Sequence, residues 1–344
     1  MSSLYLYTFE SYMSKFGSLA TVILHGLTIY LTLFQMKKLR GSYKHLLIMF
    51  SCFCIFFAIV EYWIHPFVHS YNGAYIYFIP EILSGSTATT RTIFLTLYPV
   101  GLISFVSMFA VLFLCRYWSI QNSPRLKHFQ GFGLLFPIIY SFSCGLIASV
   151  CLLYFGHLDE YSFNYIMKTM VKHYNFNFDE MTVYAVVPYK INTTTGEFEF
   201  RFLNSLSLIL LSVFYAMQFC IMVYFGIHTH IEMVTNLQHM STCTQNLHRQ
   251  FFKSLVIQVL SPTLTVYIPI SFLIFSPFLN IKLDVPSGIF LGSFSIYPPI
   301  DSIILICVVS DYRYAIKRIV GKLSFTPTNS IHPIQSDVQV ITHS

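Results

Sequence analysis

The chain has 344 residues, 55% hydrophobic, 18% aromatic and only 10% charged, with a formal net charge of +6. A soluble domain carries about 25% charged residues, so composition excludes one and predicts a polytopic membrane protein. The positive charge reads as membrane orientation, and no nucleic-acid partner is needed to explain it.

A spanning helix needs about 20 mostly apolar residues. Seven runs reach that length: 16 to 35, 46 to 64, 93 to 115, 132 to 155, 203 to 226, 254 to 276 and 287 to 309. The expected fold is an all-α, seven-transmembrane helix bundle over 16–309, behind a short extracellular N-terminus at 1–15. A juxtamembrane amphipathic helix at 310–322 and a disordered cytoplasmic tail at 323–344 follow it. Residues 1–15 lack a basic n-region and a small-residue cleavage site, so the first span is read as a signal anchor. With the N-terminus outside, 13 Lys and Arg fall on the inner side and 7 on the outer, which predicts an N-out, C-in topology.

The second span ends in "EYWIHPFVH". His65 and His69 have the i, i+4 spacing of metal ligands, but Pro66 lies between them at the expected helix end, so a hydrogen-bonded structural pair is the reading and no metal site is assigned. Glu61 is an ionisable group within a span, which makes it a ligand-site candidate or an interhelical hydrogen-bond partner. Aromatics on the outer halves of the third, sixth and seventh spans (Phe94, Tyr98, Phe105, Tyr267, Phe272, Phe290, Phe294) are candidates to line an apolar cavity. Such a wall suits a small, weakly polar, volatile molecule, and the third span offers no counter-ion for a cationic one.

At the end of the third span, "CRYW" places Arg116 and Tyr117 at the inner membrane boundary, where an interfacial arginine with an aromatic belt is the plain alternative. The loop from about 156 to 202 carries "NTT" at Asn192, the single N-x-Ser/Thr sequon, on the side assigned to the exterior. The eight cysteines fall in spans, at their ends or in an inner loop, so that long loop must be ordered by packing without a disulfide, or stay mobile.

The seventh span reads "SIYPPIDSIILICVV". Pro298 and Pro299 lack N–H groups, so the carbonyls of Phe294 and Ser295 lose their i+4 partners and a kink is expected. Asp301, four residues after Tyr297, is expected to face the bundle interior, because a lipid-facing carboxylate costs about 2.5–3.5 kcal/mol or more. After it, "SDYRYAIKR" alternates aromatic and basic residues as in a helix lying on the inner leaflet. There Tyr312, Ile316 and Ile319 are expected to face lipid, while Arg313, Lys317 and Arg318 reach for phosphates.

Six stretches in order, "GSYKHLLIMFS", "HPFVHSYNGAYIYF", "CRYWSI", "QFFKSLVIQVLSPTLTVYIP", "YPPID" and "SDYRYAIKR", resemble the nematode seven-transmembrane chemoreceptors of serpentine receptor class r, the Str family, over about residues 10 to 322. The resemblance implies an odorant-sensing G-protein-coupled receptor on the cilia of chemosensory neurons, with a small-molecule odorant, a heterotrimeric G protein and the lipid bilayer as partners and no cofactor. It implies a coupling role for Arg116 and Tyr117, for Tyr297, Pro298, Pro299 and Asp301, and for Asp311, Tyr312 and Arg313. The chain departs from the family pattern with His25 in place of an asparagine, Cys115 in place of a tyrosine and Ser302 in place of a proline. Among other classes, a transporter lacks its matching broken helices, a retinal protein its lysine in the last span, and a hydrolase its clustered ligands or nucleophile. A ligand-gated cation channel is the alternative that survives, and current evoked without a G protein would mark it.

Overall fold

A computed structural model describes residues 3–35, 42–79, 87–121, 123–174, 182–192, 194–236 and 242–324. Much of the first inner loop, including Lys37, Lys38 and Arg40, and tail residues 325–344 lie outside the described residues.

The first helix, α1, runs Ser3–Phe34, so residues read as an N-terminal tail form its opening turns. Its pattern is that of a soluble helix turned inside out. Glu10, Ser14, Ser18, Thr21, His25, Thr28 and Thr32 recur every three or four residues and are all buried, while Tyr5, Phe9, Tyr12, Phe16, Leu19 and Ile23 face outward. Hydrocarbon solvates the apolar face, and the polar stripe supplies the interhelical bonds.

The second helix, α2 (Ser42–Ile64), and the third, α3 (Ala88–Ile120), build the centre with Leu46, Phe50, Phe53, Phe105, Phe109 and Phe113. Next come α4 (Leu135–Phe155) and, after the short α5 (Glu160–Tyr174), α6 (Phe202–Asn236). The sixth expected span is broken: α7 (Thr242–Pro262) passes through a π-helical turn at Thr263–Tyr267 into α8 (Ile268–Phe275), which starts at Ile268 with Pro269 in its first turn. The seventh is α9 (Gly288–Val308), and a 92° corner leads into α10 (Ser310–Ser324). Among the described residues five helices are each long and apolar enough to cross a membrane, and the bent α9–α10 pair makes a sixth.

The expected kink takes another form. α9 continues as helix through Pro298 and Pro299, and the sharp bend falls at Val309. The carbonyl of Ser295, freed by Pro299, lies against Gly17 of α1, where any β-carbon would collide with it. A glycine thus lets the two backbones close over the gap in the ladder.

One end of the bundle carries a cap. Strands β1 (Phe67–Tyr71) and β2 (Ala74–Phe78) form a hairpin turned by Asn72 and Gly73, both at positive φ (44° and 81°), as a type I′ turn requires. A third strand, β3 (Val183–Val186), pairs with β2, and residues of β6 (Asp284–Val285) pair with β1. Phe67, Ile76 and Phe78 of this sheet pack on Ile166, Met170 and Tyr174 of α5. The described parts of the long loop, α5 and β3, are thus held by packing on this sheet. A separate hairpin, β4 (Tyr189–Ile191) and β5 (Phe198–Phe200), holds Asn192 at its exposed turn.

Candidate functional site

Beneath the cap, a cavity of about 420 Å³ lies between α3, α6, the π-helical turn, α8 and α9. Its wall is mostly apolar, with Tyr75, Ser212, Tyr215, Thr263, Tyr267, Ser271 and Ser287 bringing the polar atoms. The π-helical turn puts Thr263 and Tyr267 on the wall, because an extra residue in one turn swings the following side chains around the axis.

Of the residues proposed from sequence, Tyr267, Phe290 and Phe294 line this cavity. Tyr98 borders a neighbouring space of about 50 Å³ that shares Tyr75 and Tyr215 with it. Phe105 packs in the core between Phe50, Phe57, Phe109 and Tyr297, and Phe94 packs on the cluster around Phe57. Phe272 points away, 53% exposed on the outer face of α8. Glu61 stands apart in an interhelical network, where the Ser14 and Ser295 hydroxyls donate to its Oε1 at 2.7 and 2.8 Å. Sequence reasoning missed Tyr75 and Tyr215. The alternation in "AYIYF" marks a strand that would have offered Tyr75, whereas Tyr215 sits in a long apolar run with no local signal.

Further along α9, Asp301 is buried as expected. Tyr297 lies 3.1 Å from its Oδ1, and the Gln258 side chain donates to its backbone carbonyl at 3.2 Å. The Tyr297 hydroxyl also donates to the carbonyl of Gln258, the one that Pro262 leaves without an N–H partner. Two of the chain's three departures from the family pattern fall at this level, on the α1–α9 seam. His25 Nε2 donates to the Pro298 carbonyl at 3.0 Å, and Ser302 meets Thr28 at 3.2 Å.

At the end opposite the cap, Arg116 is buried and clasps α7, its guanidinium donating to the His248 carbonyl and lying 5.9 Å from the Phe251 ring centre. Burial, followed by the Arg116 charge, lowers the pKa of His248 to about 4. Tyr117 points to α6, its ring against Phe225 and His228. Tyr312 departs from the expectation that it faces lipid. It is fully buried, and its hydroxyl donates to Thr32 Oγ1 at 2.6 Å, because the corner at Val309 turns that face of α10 onto α1. Asp311 sits in the first turn of α10, where a negative charge favours the helix dipole, and Arg313 is exposed.

A bundle with a capped cavity at one end and a buried arginine bridging two helices at the other has the form of a seven-transmembrane receptor. Squid rhodopsin superposes with a TM-score of 0.59 over 93% of this chain and 87% of its own, at 9% identity, which establishes the fold. The family model for the serpentine type 7TM GPCR chemoreceptor Str matches residues 10–317, and the chain belongs to that family. It is similar to the G-protein coupled receptor str-33 of Caenorhabditis elegans, 31% identical over 89% of each chain. It also resembles serpentine receptor class r-10 of the same species, 29% identical over 81% of each. The protein is thus a multi-pass membrane chemoreceptor and not an enzyme.

Proposed function

We propose that this receptor binds a small, volatile, weakly polar molecule in the cavity between α3, α6, α8 and α9, and that binding activates a heterotrimeric G protein through the Arg116 end. The carrying observation is that one helix serves both places. Phe290 and Phe294 wall the cavity, and Tyr297 and Asp301, one and two turns on, hold α9 to α7, the helix that Arg116 grips. A molecule wedged against Phe294 and Tyr267, whose ring centres are 6.0 Å apart, acts directly on the α7–α9 contact. The receptor then works in the plasma membrane, at the cilia of chemosensory neurons, with its cap and Asn192 outside.

The test is a calcium-reporter screen of volatile compounds in cells expressing the chain and a promiscuous G protein. Tyr215→Trp, which adds bulk to the cavity wall, is expected to abolish every response at unchanged surface expression. Equal potency in that variant would move the ligand elsewhere. Current evoked with the G protein blocked would favour the channel instead.

A further inference from the structure

Away from the cavity, three titratable side chains meet at the capped end. Glu10 of α1, Glu61 of α2 and His65, just beyond α2, are each no more than 3% exposed. His65 Nε2 lies 2.9 Å from Glu10 Oε2, and its Nδ1 lies 3.7 Å from Glu61 Oε1. A neutral imidazole carries one N–H, so only the imidazolium offers a donor to each carboxyl. Two carboxylates and one imidazolium leave a net negative charge out of reach of water, an arrangement strongly disfavoured without a compensating cation. Among the described residues Glu10 Oε1 and Glu61 Oε2 lack hydrogen-bond partners, and so does the hydroxyl of Tyr98, a buried side chain on which the Glu61 charge acts.

We infer that Glu10, Glu61, His65 and Tyr98 form a binding site for one exchangeable proton beyond that of the imidazolium, shared by the two carboxyl groups. The site is tied to the signalling helix, since Ser295 of α9 donates to Glu61 Oε1, and a β-carbon at Gly292 of α9 would lie 2.7 Å from Glu10 Cγ. The charged groups acting on Glu10 and on His65 are the other members of the cluster. Facing it besides are the phenols of Tyr7 on α1, with its ring 6.1 Å from His65, Tyr77 on β2, and Tyr174 on α5. Tyr174 bonds His69 at 2.9 Å, and His69 meets Asp284 at 3.1 Å. Asp284 is 45% exposed, which gives this chain of titratable groups an open end.

Burial alone would lower the pKa of His65, but its close contact with Glu10 and the charges of Glu10 and Glu61 outweigh this and raise it from 6.5 to about 9. The stabilisation from its charged form is therefore complete below about 6.5 and is lost as pH rises through about 9.

The test uses the purified full chain in nanodiscs of uncharged lipid, read by infrared difference spectroscopy between acid and alkaline buffer and by thermal melting across the same pH range. Wild type should show the carbonyl band of a protonated carboxylic acid. Glu10→Gln and Glu61→Gln each leave one carboxylate balanced by the imidazolium. Each should therefore lose one component of the band and about one proton, or tenfold in the unfolding constant per pH unit, of pH dependence. Asp301, another buried carboxyl, is assigned separately by Asp301→Asn. Should Glu10→Gln fail to fold, Glu61→Gln and the wild-type band carry the test. The proposal is overturned by a wild-type spectrum without the band, by variants that keep it undiminished, or by melting that follows sodium concentration at fixed pH instead of pH.

Discussion

At the scale of single residues, Asp301 and Arg116 do related work by different chemistry. Arg116 has no acidic neighbour in its own motif, and it bridges to α7 through a backbone carbonyl, which no side-chain substitution at position 248 removes. Asp301 braces Tyr297 of the same helix, whose hydroxyl reaches the Gln258 carbonyl of α7, and the Gln258 side chain reaches the Asp301 backbone. Asp301→Leu removes the carboxylate acceptor and leaves polar groups short of partners at about 1–3 kcal/mol each, enough to move a two-state receptor several-fold. The expected result is a receptor that reaches the surface with altered basal activity, with Asp301→Asn milder. G-protein activation normalised to surface label measures it, and wild-type basal activity, potency and maximum in Asp301→Leu would end the switch role. The burial of Asp301 was legible in the sequence because hydrocarbon leaves a carboxylate one direction to face. Tyr312 was not, because a tyrosine suits either a lipid boundary or a core, and the corner that decided between them arises from tertiary packing.

Among the helices, proline and tyrosine act as a pair. Pro99 deprives the Leu95 carbonyl of its N–H, and the Tyr77 hydroxyl from β2 donates to it at 3.1 Å. Pro262 does the same to Gln258, and Tyr297 answers it. A carbonyl left bare in hydrocarbon costs free energy, and a hydroxyl from the neighbouring element both restores the bond and fixes how the two pack. Tyr77→Phe and Tyr297→Phe are each expected to destabilise by about 1–3 kcal/mol. They should differ in consequence: Tyr77→Phe lowers the melting temperature alone, whereas Tyr297→Phe also shifts basal signalling. Equal signalling in the two would separate the α7–α9 contact from function. The sequence announced the prolines, but their partners lie far along the chain. The spacing of polar residues along α1 was readable and shows which face packs inward, once the membrane rule replaces the soluble one. The Asn72-Gly73 turn likewise signals the hairpin that a search for spans passes over.

For the whole molecule, the apolar runs were legible because a bilayer demands their length, while the joining of β3 and β6 to the hairpin was not, since strands of two to four residues leave little periodicity. Cys52, Cys54, Cys115, Cys144, Cys151, Cys220 and Cys307 are free thiols, and the cap is held by sheet pairing and the packing of Phe67, Ile76 and Phe78 on α5. Mild thiol reductant is therefore expected to leave melting temperature and any odorant response unchanged, and a loss of either would show that a disulfide matters. Asn192→Gln should remove one glycan, and a C-terminal tag should stain only after permeabilisation. Staining of intact cells would invert the topology.

The cap covers the cavity at Val68, Tyr75 and Ser287, yet its flank is rimmed by Phe219, Ile268 and Phe275, which are 44%, 56% and 48% exposed on the sides of α6 and α8 that face hydrocarbon. If the proposed ligand occupies this chamber, roofed by the cap and flanked by these outward-facing side chains, the bilayer is its route of entry. Under the proposed function its occupancy would then follow the concentration dissolved in lipid, and the membrane would be the first stage of detection, enriching each compound by its oil–water partition before any side chain selects it. Two molecules that fit equally well would be sensed at thresholds set by how readily each leaves water.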